Sequence, residues 1–82
     1  MLIAYDETKR QSNIAKHGLD FASLTVEFFE AAAIFPAKND RALAIGELDG
    51  RMVIAVVFRP LGSEAIAVIS MRPASRKERM LI

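Results

Sequence analysis

The sequence predicts an α+β fold in which two N-terminal helices pack against an antiparallel β-meander, with a short helix at the C-terminal end. Three observations carry that reading. Phe21, Leu24, Thr25, Phe28, Phe29 and Ala32 recur at three- and four-residue spacing, the mark of an amphipathic helix. The apolar runs RALAIGEL and RMVIAVVFR flank Asp49-Gly50, a pair suited to a type I′ hairpin turn, which needs positive φ at both central residues. Ser75-Arg76-Lys77-Glu78 has the form of a capping box opening a last helix.

Taken in order, the elements run β-α-α-β-β-β-α over residues 1–82, read as one domain. Leu2 to Tyr5 is short and apolar and suits an edge strand. Asp6 can cap a helix by accepting an orphan amide, and Gly18 can end it in the left-handed conformation. Lys16 and His17 fall in its last turn, where positive charge suits the helix dipole. Its face is polar; Ile14, Ala15 and Thr8 are all it offers to a core. Asp20 is expected to cap the second helix, from Phe21 to Ala32. Pro36 and Lys38 to Asp40 form a loop. Three strands follow, with turns at Asp49-Gly50 and at residues 60–63, and Pro73 stops the third.

A two-residue first turn and a four-residue second turn fix the expected registers. Leu48 pairs with Arg51, Ala44 with Ala55, Val53 with Ser70 and Arg51 with Arg72. Alternation then puts Met52, Ile54, Val56, Phe58 and Met71 on one bulky face, together with Leu43 and Ile45. That face is the expected seat of Phe21, Leu24, Phe28 and Phe29. Like charges directly opposite on a sheet cost up to ~1 kcal/mol. Arg51 beside Arg72 therefore means either two side chains fanned into water or an anion between them.

Composition narrows the chemistry. The 82 residues are 52% hydrophobic and 26% charged, with net charge +1 and no cysteine. That is globular composition without disulfides, thiolate nucleophiles or thiolate metal sites. No stretch of about 18 apolar residues is present to span a bilayer, and MLIAYDETKR lacks the pattern of a signal peptide, so a cytoplasmic location is expected. Charge is sorted along the chain: residues 1–40 hold 4 Lys/Arg against 6 Asp/Glu, and residues 41–82 hold 7 against 4. Such sorting points to an anionic partner on one side. No paired carboxylates, Ser/His/Asp set, metal-ligand spacing or phosphate-binding glycine loop occurs, so no metal or other cofactor is expected.

Two places remain for an anion. Lys9, Asn13, Lys16 and His17 share one helix stripe, and an amide, an imidazole and two lysines can cradle a phosphodiester. His17 is the only histidine; it either closes the helix or moves protons. The stretch SMRPASRKERM gathers Arg72, Arg76, Lys77 and Arg79 around Glu78. Basic residues in a first helical turn oppose the macrodipole, which a bound phosphate would relieve. Otherwise they form an ordinary solvated face.

Two stretches also resemble a known family. YDETKRQSNIAKHGLDFA, Tyr5 to Ala22, resembles the opening of the BrnT toxins, and AVISMRPASRKER, Ala67 to Arg79, resembles their closing motif. Arg41, Gly46 and Arg51 fall where that family has its meander. The resemblance implies a RelE-like fold and a type II toxin that cleaves RNA and inhibits translation. It further implies a BrnA-like ribbon-helix-helix antitoxin as partner, with promoter DNA bound only through that antitoxin, and no membrane. Carried over by position, Lys9, Asn13, Lys16 and His17 match the first motif, and Ser70, Arg72, Ala74, Ser75, Glu78 and Arg79 the second. Pro73 departs from the basic residue common in the family, and the family's last helix usually continues past Ile82.

The reading drawn from this is a metal-independent endoribonuclease leaving 2′,3′-cyclic phosphate and 5′-hydroxyl ends. His17, Arg72, Arg51 and Lys16 are the expected catalytic residues. Lys9, Asn13, Ser70, Arg76 and Arg79 are expected to bind RNA. The alternative is a non-catalytic or degenerate module on the same fold that binds nucleic acid or an antitoxin.

Overall fold

A computed structural model describes all 82 residues. Its strands are β1 (Leu2–Ala4), β2 (Ala33–Pro36), β3 (Ala42–Leu48), β4 (Met52–Leu61) and β5 (Ala65–Pro73). Its helices are α1 (Glu7–His17), α2 (Val26–Ala31) and α3 (Arg76–Arg79), with a 3₁₀ turn at Phe21–Ser23. The five strands form one mixed sheet in the order β1-β5-β4-β3-β2, antiparallel except for β1, which runs parallel to β5 at the edge. The α+β class and the three-stranded meander stand as expected. The sheet gains β2, where a loop was expected around Pro36.

Helix α1 forms as its caps dictate. Asp6 Oδ1 accepts from Thr8 N at 2.9 Å, and Gly18 closes the helix at φ 68°, donating to Ile14 O. The second helix is shorter than its apolar stripe suggests. Asp20 caps only the 3₁₀ turn, and Thr25 then caps α2 by accepting from Phe28 N. Leu24 and Thr25 both hold extended backbone, so the helix breaks between Ser23 and Val26. The stripe still reaches the core: Phe21, Leu24, Phe28 and Phe29 are all buried.

Both turn lengths differ from the expected ones, and each moves a set of side chains to the other face. Asp49 and Gly50 take positive φ as a type I′ turn requires, and Arg51 N donates to Leu48 O. The strands nevertheless resume one residue later, at Leu48↔Met52, leaving Arg51 outside the ladder. Ala44 thus pairs with Val56 and Gly46 with Ile54. At the second turn the ladder closes at Leu61↔Ala65, leaving three residues where four were expected at 60–63, and Ile66 and Val68 move to the core face. Farther along, β5 carries a bulge: Val57 pairs with Ser70 but Phe58 with Val68, so Ile69 is the extra residue. Without it, alternation would put Val68 and Met71 on opposite faces; with it, both enter the core.

The core face therefore carries Ala44, Ile54, Val56, Phe58, Ile66, Val68 and Met71 beneath Phe21, Leu24, Phe28 and Phe29. Gly46 belongs here for a steric reason. A Cβ on it would stand 3.2 Å from Ala32 Cβ and 3.3 Å from Phe28 Cε1, so the glycine lets α2 approach the sheet. Ile45 and Leu43, expected on this face, lie on the opposite one. There Ile45, Ala55 and Ala74 form a smaller cluster with Phe35, Leu43 and Val53. Ala74 N donates to Val53 O at 3.0 Å, which brings the start of α3 onto that second face.

Beyond Ala67 the outer edge of β5 has no strand beside it, and α1 lies there instead. Asn13 makes the join. It is 5% exposed; its Nδ2 donates to Leu19 O at 2.9 Å, and its Oδ1 accepts from Met71 N at 3.0 Å. The polar helix face thus buries an amide, where Ile14 and Ala15 were expected to make the contact.

Candidate functional site

The bulge in β5 and the polar stripe of α1 face each other across an open hollow of about 220 Å³. Lys9, Ser12, Asn13, Lys16, His17, Ile69 and Ser70 line it. The helix supplies five of these because its positions 9, 12, 13, 16 and 17 fall on one stripe. The strand supplies Ile69 and Ser70 because the bulge interrupts its pairing there. No carboxylate lines the hollow, and none of the three salt bridges in the molecule engages Lys9, Lys16 or His17. Two ammonium groups, an imidazole and two hydroxyls thus stand around one concavity, and the protein supplies no carboxylate to neutralise the lysines. Such a surface favours an anion.

Two other charge clusters are fully internal. Arg10 Nε and Nη2 donate to Asp20 Oδ1 and Oδ2 at 2.7 and 2.9 Å, and Nη1 donates to Glu7 Oε1 at 2.6 Å. This fork ties α1 to the 3₁₀ turn. The Arg10 side chain, together with the amide of Ala22, holds Asp20 below the usual carboxylate range. Glu7 is lowered by the Gln11 amide and then by Arg10.

The second cluster gives one of the basic residues of the C-terminal segment, Arg72, an internal partner. Arg72 Nη1 and Nη2 donate to Glu78 Oε1 and Oε2 at 2.7 and 2.9 Å. Glu78 Oε1 also accepts from Ser75 N at 2.8 Å, while Glu78 N donates to Ser75 Oγ at 3.1 Å, completing the capping box. The anion at this helix start is the chain's own carboxylate. Arg72 holds it at about 2, with the Ser75 hydrogen bonds adding to the effect.

The structure therefore brings together Lys9, Asn13, Lys16, His17 and Ser70 and leaves four expected site residues elsewhere. Arg51 sits in the β3–β4 turn and does not face Arg72, whose cross-strand partner is Ala55. The like-charge argument at that pair falls with the register. Arg72 is spent on Glu78, and Arg76 and Arg79 are exposed on α3, away from the hollow. Asn13 lines the hollow but has its amide oxygen and nitrogen committed to the fold. Ser12 is the polar lining residue that sequence reasoning passed over; its place three residues after Lys9 and four before Lys16 was the available signal.

An α+β sheet whose edge is closed by a helix, with a basic hollow in the seam, is the architecture; comparison with known proteins gives the class. The family model described as "Ribonuclease toxin, BrnT, of type II toxin-antitoxin system" matches residues 5–78. The chain belongs to the BrnT toxin family. Among solved structures it is similar to the Brucella abortus ribonuclease toxin BrnT, a 1.1 Å crystal structure. The two share 63% identity and a TM-score of 0.88 over 93% of this chain and 99% of that one. Comparison with curated protein sequences gave no match.

Proposed function

We propose that this chain is the toxin of a type II toxin–antitoxin system and that it cuts RNA in the hollow between α1 and β5. Family membership supports the ribonuclease; the single observation that supports the site is the meeting of Lys9, Lys16, His17 and Ser70 in one concavity without a carboxylate. In the reaction, the ribose 2′-oxygen attacks the adjacent phosphorus, the new O–P bond forms, and the bond to the 5′-oxygen breaks. A base takes the 2′-hydroxyl proton and an acid delivers one to the departing oxygen. His17 can do both in turn, leaving a 2′,3′-cyclic phosphate and a 5′-hydroxyl.

Lys16 and Lys9 stabilise the extra negative charge that builds on the phosphorane, and Ser70 can donate to one of its oxygens. Lysines and hydroxyls suit a phosphate better than a divalent cation, which prefers carboxylate oxygen. The reaction proposed is therefore metal-independent. Arg72 is assigned to holding α3 through Glu78, and Arg51 has no part. The fold is read as RelE-like, and the partner as a BrnA-like ribbon-helix-helix antitoxin that carries any promoter contact in the cytoplasm.

The test is chemical. Purified, antitoxin-free protein is given an oligoribonucleotide and the new termini are mapped. Cyclic-phosphate ends, and loss of cutting when the nucleotide 5′ to the scissile bond is 2′-deoxy, are the expected results. Cutting of the deoxy-substituted strand would exclude 2′-hydroxyl attack.

A further inference from the structure

Beside the hollow that holds His17 lies a second one. This neighbour, about 450 Å³, is lined by Ala4, Tyr5, Asp6, Lys9, Arg41, Arg59, Ala67, Val68 and Ile69. Lys9 and Ile69 line both, so the two hollows adjoin at these side chains along the seam. The shape of the second follows from the sheet. Arg59 pairs with Ala67, and Ala67 with Ala4, so two small residues form a low floor. The register Ala42↔Phe58, continued by one residue, brings Arg41 beside Arg59. Opposed like charges on neighbouring strands are unfavourable unless something negative lies between them. Both arginines are exposed, and neither has a carboxylate partner in the molecule. The opposed arginines expected at the other end of the sheet stand here.

The far wall is aromatic. Tyr5 is 38% exposed and held edge-on against buried Phe21, ring centroids 5.7 Å apart. It is the only tyrosine, and the chain has no tryptophan. Asp6, also on the rim, already accepts from Thr8 N as the cap of α1.

We infer that this second hollow binds one nucleotide of the RNA strand next to the scissile phosphate, its phosphate between Arg41 and Arg59 and its base on Tyr5. The inference rests on the ribonuclease reading above for the identity of the strand. Lys9, shared by both hollows, lies under the backbone between the two phosphates. The aromatic face tolerates any base, so the subsite adds affinity and register rather than sequence choice.

Binding of a fluorescent eight-nucleotide 2′-O-methyl RNA, which cannot be cut by 2′-hydroxyl attack, tests this independently of catalysis. Kd is followed from low to moderate salt for the unsubstituted protein, the double variant Arg41→Gln/Arg59→Gln, Tyr5→Leu, and Lys77→Gln as a control for bulk charge. The double variant is expected to bind at least tenfold more weakly, with a slope of log Kd against log salt shallower by about 0.7 or more, the single-strand value per phosphate released. Tyr5→Leu is expected to cost at least fivefold, with its slope unchanged. Thermal melts confirm that each variant is folded. A double variant whose Kd and slope match those of Lys77→Gln overturns the subsite and leaves the ribonuclease standing. No RNA binding by the unsubstituted protein overturns both.

Discussion

Arg72 and Glu78 meet fork to fork, Nη1 to Oε1 at 2.7 Å and Nη2 to Oε2 at 2.9 Å, and so bind the last strand to the last helix. Glu78 is the better buried of the two, its side chain 15% exposed against 38% for Arg72. The four-residue α3 has no buried residue of its own to anchor it. This pair and the contact of Ala74 with the sheet hold it in place.

Removing either partner is expected to cost about 1–2 kcal/mol, the range for a charge-assisted pair that still meets solvent. Arg72→Ala and Glu78→Gln should lose similar amounts, and the double variant little more than either. A double-mutant cycle by urea unfolding measures this. Additive losses would mean that the two side chains act separately.

The same pair sets an acid limit. Glu78 titrates at about 2 in the fold against an ordinary value of 4.5, so its ionised form is favoured by folding. A depressed carboxylate contributes stability above its unfolded value and loses it as pH falls toward the folded one. Asp20 and Glu7 are lowered as well and act in the same direction. Unfolding free energy should therefore decline from about pH 4.5 to about pH 2, with a smaller decline in Glu78→Gln. Parallel pH curves for the two proteins would remove Glu78 from the account.

Asn13→Ala is expected to destabilise by about 2–4 kcal/mol, because it strands the Met71 amide and the Leu19 carbonyl at a buried join. Exposed Ser12, one position away on the helix, should change stability by less than about 0.5 kcal/mol when replaced by Ala. Urea melts of the two variants separate a structural amide from a surface one.

Gly46→Ala should cost about 1–3 kcal/mol, since the added methyl meets Ala32 backbone and Cβ as well as Phe28. Gly62→Ala meets no atom within 4 Å, and its penalty, about 1 kcal/mol, comes from positive φ alone. A Gly46→Ala protein as stable as the parent would mean that α2 is free to shift.

The sequence showed which residues make a core better than how the chain would present them. Caps at Asp6, Gly18 and Ser75 were legible because capping is local chemistry, and so was the aromatic stripe. Thr25 as a second cap was hidden inside that stripe, since threonine fits either role. The registers failed at the turns. Each hairpin closes with three residues, Asp49 to Arg51 and Gly62 to Glu64, where two and four were expected, and a change of one residue turns a strand over. The Ile69 bulge, equally invisible to a pattern of period two, returns Met71 to the core face. The arginines that oppose each other are therefore Arg41 and Arg59, not Arg51 and Arg72. The helix stripe of Lys9, Asn13, Lys16 and His17 survived because helical spacing needs no partner strand to define it. Only Asn13 changed character, becoming a buried tie once the edge of β5 was seen to need one.

The proposed chemistry centres on His17 in the α1–β5 hollow. Its most direct test is the initial rate of cleavage of an end-labelled oligoribonucleotide in EDTA by antitoxin-free protein, beside His17→Ala of equal thermal stability. Cleavage that proceeds in EDTA and falls about 10²- to 10⁴-fold in the variant is the result expected for a lost proton shuttle. Equal rates for the two proteins would take the chemistry away from His17, and cleavage abolished by EDTA would contradict a metal-independent reaction.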